Sequence, residues 1–475
     1  MSNAIRFGTG GWRAVIGEDF TRENVRRVAA GILALMKERG EADRPVVIGY
    51  DRRFLSEPAA RWTAEVLAAG GVDVWFMHRS APTPLVMFTV LDRGLRYGIE
   101  ITASHNPARY DGVKLVVAEG RDAPPETTRR VEELVDALPD ETPPFLPFED
   151  AVAAGRVTYP KNPFNPFIDS ILARLDLAAL RERGLRVLFD TMHGSGAYPL
   201  LVVFYTARCT IDTMNMNKDA WFDGQMPAPS PKSLSALADA VVKGGYDLGV
   251  AMDGDGDRLG IIDRTGRYVS ANEILCMLYD YLVRCKGWRG PVVRNVATTH
   301  MLDRIAESFG EKCHEVPVGF KHVSAKIDET DAVLGGESSG GLTVRGHIHG
   351  KDSVYAASLF AEMVSVTGKS PSELMDGLEA RFGRFRMAED AIRFEDAARK
   401  AAVERLVLEE RKLPAFEDEI ERVGYEDGCK VYFKSGDFVL CRFSGTEPLL
   451  RVCAESPTAE KARSYVDAFR AFLGV

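Results

Sequence analysis

Three times along this chain an apolar, β-branched run ends in a polar turn and leads into a helical pattern. Val46–Tyr50 runs into Asp51-Arg52-Arg53, and Leu185–Phe189 into Asp190-Thr191-Met192-His193-Gly194-Ser195-Gly196. Pro291–Asn295 runs into a helix through Met301 to Phe309. A strand that is apolar throughout is buried on both faces, and helices must cover it. The recurring unit is therefore an α/β module, and the expected fold class is α/β. A single core rarely serves 475 residues, so three or four such domains are expected. The Pro-rich stretch Pro139–Pro147, the region near Gly266 and the region near Arg381 are the candidate boundaries.

Between these modules the signals are local. Thr21 caps a helix whose apolar positions run from Val25 to Met36, and Gly40 closes it. Ser56 opens a second helix that runs to Gly70-Gly71, and Val72–Met77 and Tyr97–Ile101 read as strands. Pro107, Tyr110-Asp111-Gly112 and Lys114 read as a turn. Helices are expected over Pro125–Leu138, Leu234–Val242 and Ser353–Val366, and Val316–His322 reads as a loop. Lys430–Phe433 and Phe438–Cys441 read as strands, and a last helix opens at Ser456-Pro457. The net charge of −9 offers no basic footprint for nucleic acid, and no apolar run is long enough to span a bilayer. Residues 1–6 lack the apolar core of a secretory signal, and seven scattered cysteines form no Cys-x-x-Cys pair. Both point to a reducing cytoplasm without disulfides or zinc.

Five stretches carry chemistry. In Thr102-Ala103-Ser104-His105-Asn106-Pro107 a serine follows a strand and precedes a Pro/Gly-rich segment, a place where a ligand can reach it. Gly8, Gly10 and Gly11 allow positive φ or a close backbone approach, and Arg13 beyond them can offer a planar fork to phosphate. Asp253, Asp255 and Asp257 alternate with glycines directly after the strand Asp247–Met252. Three converging carboxylates call for a hard cation, magnesium above all. An EF-hand loop would need glycine sixth and glutamate twelfth, where Arg258 and Arg264 stand. A phosphatase that uses Asp253 as nucleophile stays open. Arg442-Phe443-Ser444-Gly445-Thr446 supplies a guanidinium, two hydroxyls and backbone N–H groups for a phosphate dianion, and Arg451 can add a second cation.

The fifth stretch, Gly336-Glu337-Ser338-Ser339-Gly340, fits the Gly-x-Ser-x-Gly elbow. A hydrolase triad, however, needs an acid and then a histidine downstream. His347 and His349 follow too closely and no later histidine exists. Glu337 and Ser339 read instead as hydroxyl-binding groups of the kind a sugar needs. Together the stretches fit phosphoryl transfer through a phosphoserine on a sugar phosphate, with Lys114 as candidate general base.

With these residues in place, the chain resembles the α-D-phosphohexomutase superfamily, the phosphoglucomutase/phosphomannomutase enzymes, over essentially its whole length. Its four signature loops match Thr102–Pro107, Asp253–Arg258, Gly336–Gly340 and Arg442–Pro448, in family order. The resemblance implies three similar mixed α/β domains and a C-terminal α+β domain around a central cleft. The expected boundaries are 1–145, 146–264, 265–378 and 379–475. It implies that Ser104 carries the phosphoryl group and, with Asp253, Asp255 and Asp257, holds magnesium. Arg13, Lys114, Arg258 and Lys321 match active-site cations. His105, Glu337, Ser339, Arg442, Ser444, Gly445, Thr446 and Arg451 match substrate contacts.

The implied activity is interconversion of glucose 1-phosphate and glucose 6-phosphate, with mannose phosphates as further substrates. It runs through a hexose 1,6-bisphosphate, with glucose 1,6-bisphosphate as activator. Hexose phosphates are the expected partners, with no nucleic acid or membrane, in a monomer or homodimer. Two departures stand out: Gly10 replaces an aspartate or serine of many members, and Gly341 a histidine of some. The rivals are a magnesium sugar phosphatase using Asp253 and a catalytically silent sugar-phosphate binder.

Overall fold

The computed structural model describes residues 5–8, 10–394, 396–443 and 449–474. It divides into two compact units, residues 1–274 with 339–371, and residues 275–338 with 372–475.

The first unit holds two mixed sheets. The first has eight strands among the described residues, and its middle is formed by β1 (Gly11–Val15), β2 (Val46–Tyr50), β3 (Val74–Phe76), β4 (Tyr97–Ile101) and β5 (Tyr110–Val117), in the order β1-β5-β4-β2-β3. β2 lies parallel to β3 and β4, whereas β5 runs antiparallel to β4 and β1. Helix α1 (Arg22–Glu38) starts where Thr21 Oγ1 accepts the Asn24 N–H at 3.2 Å, and α2 (Ser56–Ala69) and α3 (Thr83–Asp92) follow. Val25, Val28, Ile32, Leu35 and Met36 of α1 are buried on the core of this sheet, at the helical spacing read from the sequence.

β5 corrects the turn expected around Tyr110-Asp111-Gly112 and Lys114. Turn-forming residue types stand here in an eight-residue strand because tertiary packing demands them. A Cβ on Gly112 would lie 2.3 Å from Trp12 O and 2.7 Å from Thr102 O, so only glycine fits between β1 and the loop after β4. Gly11, at φ 110°, likewise serves the chain's own packing: a Cβ there would meet Val113 O at 2.6 Å.

The second sheet has the order β7-β6-β8-β9, from β6 (Arg186–Asp190), β7 (Thr210–Met214), β8 (Leu248–Met252) and β9 (Leu259–Asp263), with the short strand Tyr268–Val269 at its edge beyond β9. β6 is parallel to β7 and β8, and β9 closes antiparallel on β8. Every residue of β8 and β9 is buried, so the aspartate loop between them is held at both ends by core strands. The helix Ser353–Thr367 also belongs to this unit, with Asp352 Oδ1 capping the Val354 and Tyr355 N–H groups.

In the second unit, β10 (Val292–Asn295) pairs in parallel with β11 (Cys313–Val316) and β12 (Leu334–Gly336). Helix α4 (Phe320–Thr330) begins directly after Gly319, so Lys321 and His322 sit in its first turn rather than in the loop expected at Val316–His322. An all-antiparallel sheet follows: β13 (Arg386–Arg393), β14 (Ile420–Gly424), β15 (Cys429–Phe433), β16 (Phe438–Phe443) and β17 (Leu449–Ser456), ordered β13-β17-β16-β15-β14. Helix α5 (Ala459–Leu473) covers it with Ala462, Tyr465, Val466, Phe469 and Leu473. Its cap is Thr458, so Pro457 stands just outside the helix and not inside its first turn.

Candidate active site

Ser104 lies just past the end of β4, and its backbone adopts φ 50°, the left-handed region that a residue with a Cβ enters only at a cost. Its N–H donates to Thr102 Oγ1 at 2.8 Å, and its hydroxyl donates to Asp253 Oδ2 at 3.0 Å. Gly254 allows this approach, since a Cβ there would lie 2.8 Å from Ser104 O. Ser104 is therefore only 1% exposed, tucked under the aspartate loop, where the sequence suggests an outward-held serine. His105 Nδ1 stands 3.4 Å from Ser104 Oγ. Burial, reinforced by Arg258 and Arg13, pushes the His105 pKa well below its usual value.

The three aspartates converge through a turn. Asp253 Oδ1 accepts the backbone N–H groups of Asp257 at 2.9 Å and Arg258 at 3.0 Å, and Gly256 sits at φ 71°. One oxygen from each of Asp253, Asp255 and Asp257 lies within 4.8 Å of the others. Asp255 Oδ2 accepts Thr83 Oγ1 at 2.7 Å and Lys114 Nζ at 3.1 Å. Asp257 Oδ2 accepts Lys114 Nζ at 3.1 Å and Lys351 Nζ at 2.9 Å. The Oδ1 atoms of Asp255 and Asp257 are buried without a hydrogen-bond partner among the described residues. Buried, orphaned carboxylate oxygens beside a third carboxylate are the donor set of a hard divalent cation, so these residues fit magnesium.

The charges are tuned against one another. Burial and the two neighbouring carboxylates hold the Asp253 pKa well above the usual range. Burial pushes Asp257 the same way, but Lys351, Lys114 and Arg258 outweigh it and hold that group below the usual range. Asp255 is lowered too, with Lys114 and Lys351 overcoming burial and the charge of Asp257. Burial alone would lower Lys114, yet Asp255 and Asp257 raise it above its ordinary value. Lys114 Nζ is thus the ion partner of both aspartates.

Two more cations complete the cluster. Arg13 Nη1 donates to Asn106 Oδ1 at 2.6 Å, and Arg258 Nε stands 4.0 Å from Asp253 and 3.9 Å from Asp257. The Nε atoms of both arginines are buried donors without a hydrogen-bond partner among the described residues. Ser104, His105, Arg13, Lys114, Asp253, Asp255, Asp257 and Arg258 therefore come together within the first unit. Sequence reasoning missed Thr83 and Lys351 as members of the cluster. Lys351 had a signal, a lysine directly before the helix cap Asp352; Thr83 had none, because its partner Asp255 is 172 residues away. The stem of Lys351 also explains Gly341: a Cβ there would lie 2.1 Å from Lys351 Cδ.

The remaining expected residues fall as follows. Ser339 belongs to the first unit, next to Gly340, whose carbonyl accepts the Leu259 N–H at 3.1 Å. In the second unit, Glu337 Oε1 accepts Asn295 Nδ2 and the Gly319 N–H, both at 3.0 Å, which ties it to the start of α4 and Lys321. Asp427 accepts the Val318 N–H at 2.7 Å and Arg442 Nε at 3.0 and 2.9 Å. Arg451 stands directly opposite Arg442 on the neighbouring strand. Ser444, Gly445 and Thr446 lie outside the described residues.

Known proteins match this chain along nearly its whole length. Phosphoglucomutase/phosphomannomutase domain I, an α/β/α domain, matches residues 4–141, domain II 165–266, domain III 270–382, and the C-terminal domain 384–472. A "Phosphoglucomutase/phosphomannomutase" of Thermococcus kodakarensis is 30% identical over 470 residues, 97% of this chain and 96% of that protein. A "Probable phosphoglucosamine mutase" of Methanopyrus kandleri is 30% identical, covering 98% and 96% of the two chains. A solved structure from Thermus thermophilus, with the provisional name phosphomannomutase, superposes with a TM-score of 0.86 at 30% identity, over 100% of both chains. Four domain matches in order, relatives of the same length and a shared fold lead to one conclusion: this chain belongs to the phosphoglucomutase/phosphomannomutase family, the phosphohexomutase-type isomerases.

Proposed function

We propose that this phosphohexomutase interconverts glucose 1-phosphate and glucose 6-phosphate through a phosphoseryl enzyme at Ser104. The observation that carries the reading is the Ser104 hydroxyl itself. It lies 3.0 Å from Asp253 in a cluster that supplies three carboxylates and, nearby, the cations Arg13, Arg258 and Lys351. Such a cluster balances a phosphate and a divalent cation together. Asp253, Asp255, Asp257 and the phosphoryl group on Ser104 would hold magnesium, which supplies charge neutralisation for the transferring group.

The reaction moves the phosphoryl group from Ser104 Oγ to the free hydroxyl of the hexose monophosphate, giving a 1,6-bisphosphate, and then returns the other phosphoryl group to Ser104. Arg13 and Arg258 bind the phosphoryl oxygens. His105, with Nδ1 3.4 Å from Ser104 Oγ, is placed to accept the hydroxyl proton, while Lys114 pairs with Asp255 and Asp257. Glu337 and Ser339 bind sugar hydroxyls, Lys321 sits close by on α4, and Arg442 with Arg451 and Ser444–Thr446 binds the phosphate that is not transferred.

Asp253 is a poor candidate for the phosphatase nucleophile. Its Oδ1 is engaged by two backbone N–H groups and its Oδ2 by the Ser104 hydroxyl. Glucosamine phosphate is a second reading of the substrate, favoured by the name of the Methanopyrus kandleri relative. The test is conversion of glucose 1-phosphate and of glucosamine 1-phosphate with magnesium and a trace of glucose 1,6-bisphosphate, with Ser104→Ala beside the wild type. Glucose turnover that vanishes in the variant is expected. Phosphate release that survives it would overturn the phosphoserine route, and faster turnover of glucosamine phosphate would overturn the glucose assignment.

A further inference from the structure

Arg53 is a fully buried arginine whose guanidinium lies 5.0 Å over the Phe222 ring and gives its hydrogen bonds to the backbone of residues 104–110 and one carboxylate. Nη2 donates to Ser104 O at 2.5 Å and Asn106 O at 2.7 Å. Nη1 donates to Pro107 O at 2.9 Å and Tyr110 O at 3.0 Å, and Nε donates to Asp51 Oδ2 at 3.2 Å. Asp51 in turn accepts the Arg53 N–H at 2.9 Å, Ser56 Oγ at 2.6 Å and Thr102 Oγ1 at 2.7 Å. Thr102 Oγ1 accepts the Ser104 N–H. Both backbone polar groups of Ser104 are thus fastened to the same buried Asp51–Arg53 pair, the N–H through Thr102 and the carbonyl through Arg53.

The fastening matters because Ser104 sits at φ 50°, a conformation that persists only where the surroundings over-determine it. Relaxation to negative φ would swing the side chain away from Asp253 Oδ2. A lysine could not substitute for the arginine. One ammonium presents three donors from a single point, whereas four carbonyls spread over residues 104–110 need a planar fork.

We infer that Arg53, with Asp51 and Thr102, is a positioning residue for phosphoryl transfer, holding Ser104 in the left-handed conformation that aims its Oγ at the aspartate cluster. The inference rests on the reading of Ser104 as the phosphoryl carrier. The step it governs exchanges one P–O bond for another: the bond to Ser104 Oγ breaks, the bond to the sugar hydroxyl forms, and the hydroxyl proton ends on Ser104.

The test uses the full chain, phosphorylated with glucose 1,6-bisphosphate and checked by intact mass. Single-turnover transfer to glucose 6-phosphate is then followed for wild type, Arg53→Lys, Thr102→Val and Thr102→Ser, with steady-state KM and thermal unfolding alongside. A misplacement of about 1 Å costs on the order of 100-fold in rate. That loss is expected in Arg53→Lys and Thr102→Val with KM unchanged, and Thr102→Ser, which keeps the hydroxyl, restores the rate. An arginine that merely supported the fold would lower the melting temperature and leave transfer per folded molecule untouched, and that result overturns the inference. If Arg53→Lys does not fold, the two Thr102 variants decide: equal rates in the valine and serine forms overturn it. Failure of the wild type to take phosphate on Ser104 is a separate outcome. It removes the phosphoserine reading, and this inference with it, before any variant is measured.

Discussion

Lys114→Met puts the electrostatics of the aspartate cluster to a quantitative test. Lys114 Nζ bridges Asp255 and Asp257 at 3.1 Å each, and the side chains are 3%, 0% and 1% exposed. Removing one partner of a buried ion pair costs about 3–5 kcal/mol, because it strands the other charge. The two carboxylates do not share that loss equally. Asp257 keeps Lys351 at 2.9 Å, whereas Asp255 keeps the Thr83 hydroxyl as its side-chain hydrogen-bond donor among the described residues. Most of the cost therefore falls on Asp255, whose pKa should climb above its ordinary value once Lys114 is gone. In the double variant Lys114→Met/Asp255→Asn the stranded charge disappears, so the two changes should be coupled by about 2 kcal/mol. The assay is amide hydrogen exchange of β5 and β8 in the presence of a chelator, which reads local stability in the strands that carry Lys114 and the aspartate loop. A coupling below about 0.5 kcal/mol would refute the assignment of Lys114 as the counter-ion of Asp255. Added magnesium should shrink the cost of Lys114→Met, because a bound cation replaces the missing charge.

Gly341→Ala forces Lys351 off its path, since the new Cβ would lie 2.1 Å from Lys351 Cδ. The Lys351–Asp257 pair should break, lowering turnover on the order of tenfold with only about 1–2 kcal/mol of lost stability, read by kinetics and calorimetry together. Glu315 accepts Arg294 and Lys430, each at 2.6 Å. Burial would raise its pKa, but those cations hold it at about 2. Its folded value lies below the unfolded one near 4.5, so its contribution of about 3 kcal/mol is present above pH 4.5 and is lost as the pH falls toward 2. Glu315→Gln should flatten that part of the acid-denaturation curve. Gly112→Ala places a Cβ 2.3 Å from Trp12 O, between backbones that cannot yield, and should lower the melting temperature sharply and leave little folded protein at 37 °C.

The sequence alone determined the fold class and the family and announced the aspartate cluster, because these are written in local patterns. β2 and β8 are unbroken apolar runs, the helix after Thr21 shows its period, and the spacing of Asp253, Asp255 and Asp257 announces converging carboxylates without any partner in view. Tertiary structure alone decided how those residues are used. The bond from Ser104 to Asp253 joins positions 149 apart, and that from Lys114 to Asp257 joins positions 143 apart; no local period encodes such pairs. Lys114 reads as a lone cation until two buried carboxylates pair with it. Tyr110-Asp111-Gly112 reads as a turn until β1 pairs with it and Thr102, just after β4, donates its N–H to Gly112 O, and Arg53 reads as a charged turn residue until four carbonyls close around it. The physical reason is common to all three. A residue's local preference is worth about 1 kcal/mol or less, whereas burying a charge or a backbone carbonyl without a partner costs several, so long-range neighbours decide the role.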